Sequence, residues 1–165
     1  MAANIQAYLE NIRKPWGQIY YDILFDQIQD IKGKRVLDFG SGFGLVANHL
    51  AKDNEVLAVE PNQEMVALRD QDHPYQQLVG SLDQLASLED ASFEVILCHN
   101  VLEYVGNREA VLKAFTRLLK PGCLLSIVKH NEVGRVLQTV VFENDTQKAL
   151  DLLAGQDLET HSDRK

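Results

Sequence analysis

Apolar side chains recur at helical spacing over residues 16–31, where Ile19, Tyr20, Ile23, Leu24, Ile28 and Ile31 share one face, and this pattern predicts an amphipathic helix. Gly33 follows as a stop signal. The period then changes. Arg35-Val36-Leu37-Asp38-Phe39 is a short apolar strand that runs into a glycine-rich turn, and helical spacing resumes over residues 45–52. Residues 55–59 form a second strand ending on Glu60-Pro61-Asn62, and Asn62 is placed to cap a helix over residues 63–70. A third strand is expected at residues 75–79. A polar, acidic connection over residues 81–92 leads to a fourth at 93–98, whose continuous apolar run suits a strand covered on both faces. Val111, Leu112, Phe115, Leu118 and Leu119 fall on one helix face, which stops at Lys120-Pro121-Gly122 before a fifth strand at residues 123–128. One more helix is expected over residues 133–153. Residues 1–15 read as an N-terminal arm and 155–165 as a polar tail.

Strands alternating with helices across short connections predict an α/β domain, doubly wound, with a mostly parallel sheet and helices on both faces. Residues 1–165 are expected to form a single domain, since 165 residues supply one core rather than two. In such sheets the ligand crevice lies beyond the carboxyl ends of the strands. The residues following Phe39, Val59, Val79 and Cys98 are therefore where chemistry should be sought.

Composition narrows the field. No apolar run approaches the roughly 20 residues that a bilayer crossing needs, and residue 1 onward carries no basic region followed by an apolar stretch, so a cytoplasmic protein with no membrane contact is expected. Cys98 and Cys123 each sit inside an apolar strand and read as small buried side chains. No Cys, His and carboxylate spacing suits a metal, and none is expected. A net charge of −8 argues against a broad nucleic-acid surface, because phosphate binding draws on Lys and Arg.

Three glycines alternate in Asp38-Phe39-Gly40-Ser41-Gly42-Phe43-Gly44, directly after a strand and ahead of a helix. There the backbone can turn sharply and approach a ligand with no Cβ in the way. Glu60, at the end of the next strand, is spaced to accept hydrogen bonds from two ribose hydroxyls. A dinucleotide turn wants G-x-G-x-x-G, whereas position 45 is Leu and the third glycine arrives one residue early. Asp38 is also a poor neighbour for a pyrophosphate and suits a cationic or amine-bearing ligand. A nicotinamide-linked oxidoreductase is accordingly disfavoured.

The segment Val36-Leu37-Asp38-Phe39-Gly40-Ser41-Gly42-Phe43-Gly44 resembles the D-x-G-x-G-x-G motif of Rossmann-like, class I S-adenosylmethionine-dependent methyltransferases. Val59-Glu60-Pro61-Asn62 resembles their second motif, and Leu118-Leu119-Lys120-Pro121-Gly122 the loop before their fifth strand. The resemblance covers residues 16–131. It implies S-adenosylmethionine as cofactor and S-adenosylhomocysteine as product. Asp38 and the backbone at Gly40, Ser41, Gly42 and Gly44 would hold the methionine part and Glu60 the ribose. Pro61 and Met65 would flank the adenine, with Ser81 and Leu82 at its edge; Met65 is also placed to be an ordinary core residue. Arg13 and Lys14 could supply a cation for the cofactor carboxylate or stand in a solvated turn.

More narrowly, His99-Asn100-Val101-Leu102-Glu103-Tyr104 and His130-Asn131-Glu132-Val133-Gly134 resemble bacterial enzymes that esterify a carboxymethoxyuridine in the tRNA wobble position. The expected acceptor is a small molecule or a modified tRNA base. His99, following strand four, could sit beside the methionine moiety, take a proton, or be a half-buried histidine bonded to backbone. A carboxylate nucleophile would need no base, while a hydroxyl or amine would. Relatives usually add two strands after the helix that follows strand five, so the chain is expected to be a fragment or its sheet to be short. From another class, a non-catalytic S-adenosylmethionine-binding module fits the same motifs.

Overall fold

A computed structural model describes residues 2–129 and 131–154; His130 and the polar tail 155–165 lie outside the described residues. Five strands, β1 (Arg35–Phe39), β2 (Glu55–Glu60), β3 (Gln76–Val79), β4 (Phe93–His99) and β5 (Leu119–Val128), form one sheet in the order β3-β2-β1-β4-β5, with every pair parallel. The chain winds outward from β1 to β3 and then crosses back to lay β4 on the other side of β1. That reversal opens a crevice at the strand ends between β1 and β4. The doubly wound α/β expectation holds.

Side-chain parity assigns each face its own core. Leu37, Phe39, Leu57, Val59, Ile96 and Cys98 point to one side, where Leu85 of α5 (Leu82–Leu85) and Val111, Phe115 and Leu118 of α6 (Arg108–Leu118) cover them. Val36, Val56, Ala58, Val95 and Leu97 point to the other, against Leu24 and Ile28 of α2 (Pro15–Ile28) and Val46, Ala47 and Leu50 of α3 (Leu45–Ala51). Burial on both faces is why β1, β2 and β4 read as unbroken apolar runs rather than alternating ones.

Five expectations are corrected. The N-terminal arm is a helix, α1 (Ala2–Arg13), and Pro15 at the first turn of α2 separates the two by forcing Lys14 into extended backbone, with φ −72° and ψ 158°. The acidic connection contains the short helix α5. The expected single helix over residues 133–153 is two, α7 (Glu132–Val141) and α8 (Thr146–Leu153), because Asn144 takes φ +52° and the Asp145 carboxylate caps α8 at the Lys148 amide. Strand β5 begins at Leu119 rather than Cys123, with residues 120–123 bulging out of register between the Phe93–Leu119 and Val95–Leu124 pairs. The helix expected over residues 63–70 is shorter, α4 (Gln63–Ala67), and is capped by Asn62 as its sequence implies.

Candidate functional site

Parity also aims the polar residues at the strand ends. Asp38 pairs with Ala58 and Leu97 across the sheet, so Asp38, Glu60 and His99, each two residues along from a position of that set or within it, project to the α2/α3 side. The glycine turn closes over them. Gly40 and Ser41 donate their amides to the Val59 carbonyl at 2.8 and 3.1 Å, which ties the turn to the end of β2. Gly40, Gly42 and Gly44 take φ of +80°, +55° and +70°. A Cβ on Gly40 would stand 2.2 Å from Val101 Cγ2, so both the angle and the space demand glycine.

Glu60 is 7% exposed, and both its carboxylate oxygens are engaged. Oε2 accepts from the Gly42 amide and Oε1 from the Asn62 amide, each at 2.9 Å. The carboxylate thus braces the glycine turn against the start of α4, and each oxygen keeps lone-pair capacity for a ligand hydroxyl. Asp38, 4% exposed, has Oδ2 buried without a hydrogen-bond partner. Burial, and then the nearby Glu60 charge, raise its carboxyl to about 7, against a smaller opposing pull from the Ala47 amide. An acid strained in this way is satisfied by a cation.

A cleft of about 970 Å³ opens above these groups. Asp38, Gly40, Ser41, Gly42, Glu60, Pro61, Met65 and His99 all line it. Gly44, Ser81 and Leu82 are not among its lining residues. Gly44 turns the chain into α3, the Ser81 amide bonds to Asp83 Oδ1, and Leu82 packs against the core. The Ser81–Leu82 pair still lies beside the site, since the Gly80 amide donates to the Glu60 carbonyl at 3.1 Å.

Sequence reasoning missed the far wall. Tyr8 of α1, Trp16, Tyr20 and Tyr21 of α2, and Tyr104 beyond β4 also line the cleft. Gly17 lets α1 and α2 meet, for a Cβ there would stand 2.3 Å from the Ile12 carbonyl oxygen. Tyr8 and Tyr21 share a side-chain hydrogen bond, Tyr8 lies 5.7 Å from Phe43 between ring centroids, and burial raises both phenols, so they remain neutral. Asn100, held at φ +56°, donates its side-chain amide to the Tyr20 hydroxyl at 2.9 Å and locks α2 to the end of β4. Lys14 is turned toward Asn11 Oδ1 and the Trp16 ring. His99 places Nε2 2.9 Å from Ser126 Oγ on β5, leaves Nδ1 buried without a partner, and is lowered by burial to about 4. Among the described residues no group of three or more His, Cys, Asp or Glu is placed to hold a metal ion, and no helix is long and apolar enough to cross a membrane.

Comparison with known proteins bears on the same elements. The family described as "Methyltransferase domain" matches residues 37–127, from β1 to the end of β5. A ubiquinone biosynthesis O-methyltransferase of Xanthomonas oryzae pv. oryzae is 33% identical over 99 residues, which are 56% of this chain and 41% of that protein. The chain thus spans about two fifths of the length of such curated relatives. Among solved structures, a candidate S-adenosylmethionine-dependent methyltransferase of Methanococcus maripaludis superposes with a TM-score of 0.66 at 16% identity, over 94% of this chain and 84% of that one. A TehB-like methyltransferase of Corynebacterium glutamicum does so at 0.62 and 22%, over 77% and 73%. At those identities the likeness is one of fold.

Proposed function

The chain belongs to the methyltransferase domain family, and from that premise we propose that it binds S-adenosylmethionine over the ends of β1 and β2 and transfers its methyl group to a small-molecule acceptor. One observation carries the reading: a buried Asp38 oxygen without a partner, beneath a turn whose Gly40 has no room for a Cβ, is a seat for a cationic ligand. When bound, the cofactor supplies an already activated methyl group on a sulfonium. The protein's share is then placement and exclusion of water. Asp38 neutralises the positive charge of the methionine end, and Glu60 accepts from the ribose hydroxyls while keeping the glycine turn in place. Pro61 and Met65 flank the adenine. Tyr8 and Tyr21 cover the charged floor from the α1–α2 side.

The acceptor side favours a small molecule over a tRNA base. The outer wall is aromatic, and the charged residues lining the cleft are Asp38, Glu60 and Lys129, a poor set for phosphates on a chain of net charge −8. The relatives named for O-methylation in ubiquinone biosynthesis point toward an oxygen acceptor. Titration calorimetry of S-adenosylmethionine and S-adenosylhomocysteine, with NAD as control, tests the cofactor. Binding worth about 8 kcal/mol, in the micromolar range, is expected, and it should be lost in Asp38→Asn. A folded protein that binds neither compound, or that prefers NAD, overturns the reading.

A further inference from the structure

His99 and Ser126 stand on neighbouring strands and on one face, because His99 pairs with Val128 and Leu97 with Ser126. Two observations meet there: Nε2 of His99 lies 2.9 Å from Ser126 Oγ, and Nδ1 of the same ring is buried, without a partner, on a residue that lines the cleft. A buried imidazole nitrogen left unpaired costs stability unless a ligand completes it. We propose that Ser126 is a positioning residue that accepts the Nε2 proton of His99, so that Nδ1 turns its lone pair into the cleft and receives the hydroxyl of an uncharged acceptor. The inference rests on the methyl-transfer reading and narrows its acceptor.

The electrostatics of the cleft select the same chemistry. Burial keeps His99 neutral near pH 7, so Nδ1 presents a lone pair, which attracts an O–H and repels a carboxylate. Asp38 and Glu60 already place two acids on the cleft floor, and an anionic acceptor would add a third. Lys129 also lines the cleft, against two acids, and Tyr20, Tyr104 and Trp16 add rings of the kind that suit an uncharged, flat molecule. In the transfer, a C–O bond forms while the C–S bond breaks. The electron pair of the broken bond stays on the sulfur, and the hydroxyl proton passes to Nδ1 and then to water. A carboxylate acceptor, as in wobble-uridine esterification, would need none of this and would leave Nδ1 unpaired.

Nitrogen NMR of the full chain labelled at histidine tests the pair, with His99→Gln assigning the signals. In the native protein Nδ1 should show the shift of an unprotonated nitrogen and Nε2 that of a protonated one. Ser126→Ala should pull the two signals together, and Ser126→Thr, which keeps the hydroxyl, should restore them. With S-adenosylhomocysteine present, phenol should move the Nδ1 signal and benzoate should not. Phenol affinity should fall about tenfold in Ser126→Ala, the loss expected of one hydrogen bond. A protonated Nδ1 in the native protein, signals indifferent to Ser126→Ala, or a Nδ1 response to benzoate in place of phenol overturns the proposal. So does a Nδ1 signal unmoved by saturating phenol. Calorimetry of S-adenosylhomocysteine on the same samples separates the two readings: its failure to bind counts against the cofactor, whereas binding with the wrong tautomer counts against Ser126 alone.

Discussion

Asp38 joins stability and ligand affinity through one proton. Its folded carboxyl titrates at about 7, above the ordinary 3.8, so between those values the native state holds a proton that the unfolded chain has released. Stability from this group therefore falls as pH rises through that window. His99 runs the other way, since its folded value of about 4 lies below the ordinary 6.5, and it withdraws stability as pH falls from 6.5 toward 4. Asp38→Asn removes only the first effect. The variant should gain stability relative to the native protein as pH goes from about 5 to about 8, read from paired urea or thermal unfolding curves; a constant difference would show that Asp38 does not titrate there. A cationic ligand needs the charged form, so affinity for S-adenosylmethionine should rise through pH 7 and flatten above it. Asp38 and Glu60 were legible in the sequence because strand ends and their spacing are local features. The Tyr20–Asn100 bond was not, since it joins residues 80 apart, and helical periodicity counts Tyr20 as one more apolar position.

The elements that position the site depend on single residues at their ends. In the β1–α3 turn, Gly40→Ala meets Val101 Cγ2 at 2.2 Å and a φ of +80° at once. The left-handed backbone alone costs a non-glycine residue about 1–2 kcal/mol. Unfolding measurements should show a loss beyond that figure, and Val101→Ala in the same chain should recover only the part due to the clash. At the other end of the chain, Asp145→Ala removes the cap of α8 and should cost about 1 kcal/mol. Calorimetric cofactor affinity should be unchanged, because α8 contributes no residue to the cleft lining. The break before α8 could be read from Asn144-Asp145, a residue tolerant of positive φ followed by a strong cap. The apolar positions Val136, Leu137, Val140 and Val141, followed by Leu150, Leu152 and Leu153, masked it by reading as one apolar series, although Leu150 and Leu153 would fall about opposite Leu137 on a continuous helix. The bulge in β5 was masked in the opposite way: Lys120-Pro121-Gly122 has the composition of a turn, and only pairing with Phe93 brings Leu119 into the sheet.

At the scale of the whole molecule, the doubly wound parallel sheet and a crevice beyond its strand ends followed from the alternation of elements, because parallel crossovers leave few topologies. The aromatic wall did not, since it depends on how α1 and α2 fold back over the strand ends. The cleft therefore has a floor from the central strands and a roof from the first two helices, and one ligand spanning both should stabilise the domain as a unit. S-adenosylhomocysteine at a hundredfold excess over its dissociation constant should add about 2.7 kcal/mol to native stability. For a chain of this size that corresponds to a rise in thermal midpoint of roughly 5–10 °C. NAD at the same concentration should leave the midpoint unmoved, because the turn lacks the dinucleotide spacing and Asp38 opposes a pyrophosphate. On the proposed reading the shift should disappear in Asp38→Asn and persist in Ser126→Ala, since the first residue would neutralise the bound cofactor and the second would act on the acceptor. A midpoint raised equally in native protein and Asp38→Asn would mean that the ligand is held elsewhere than over the end of β1.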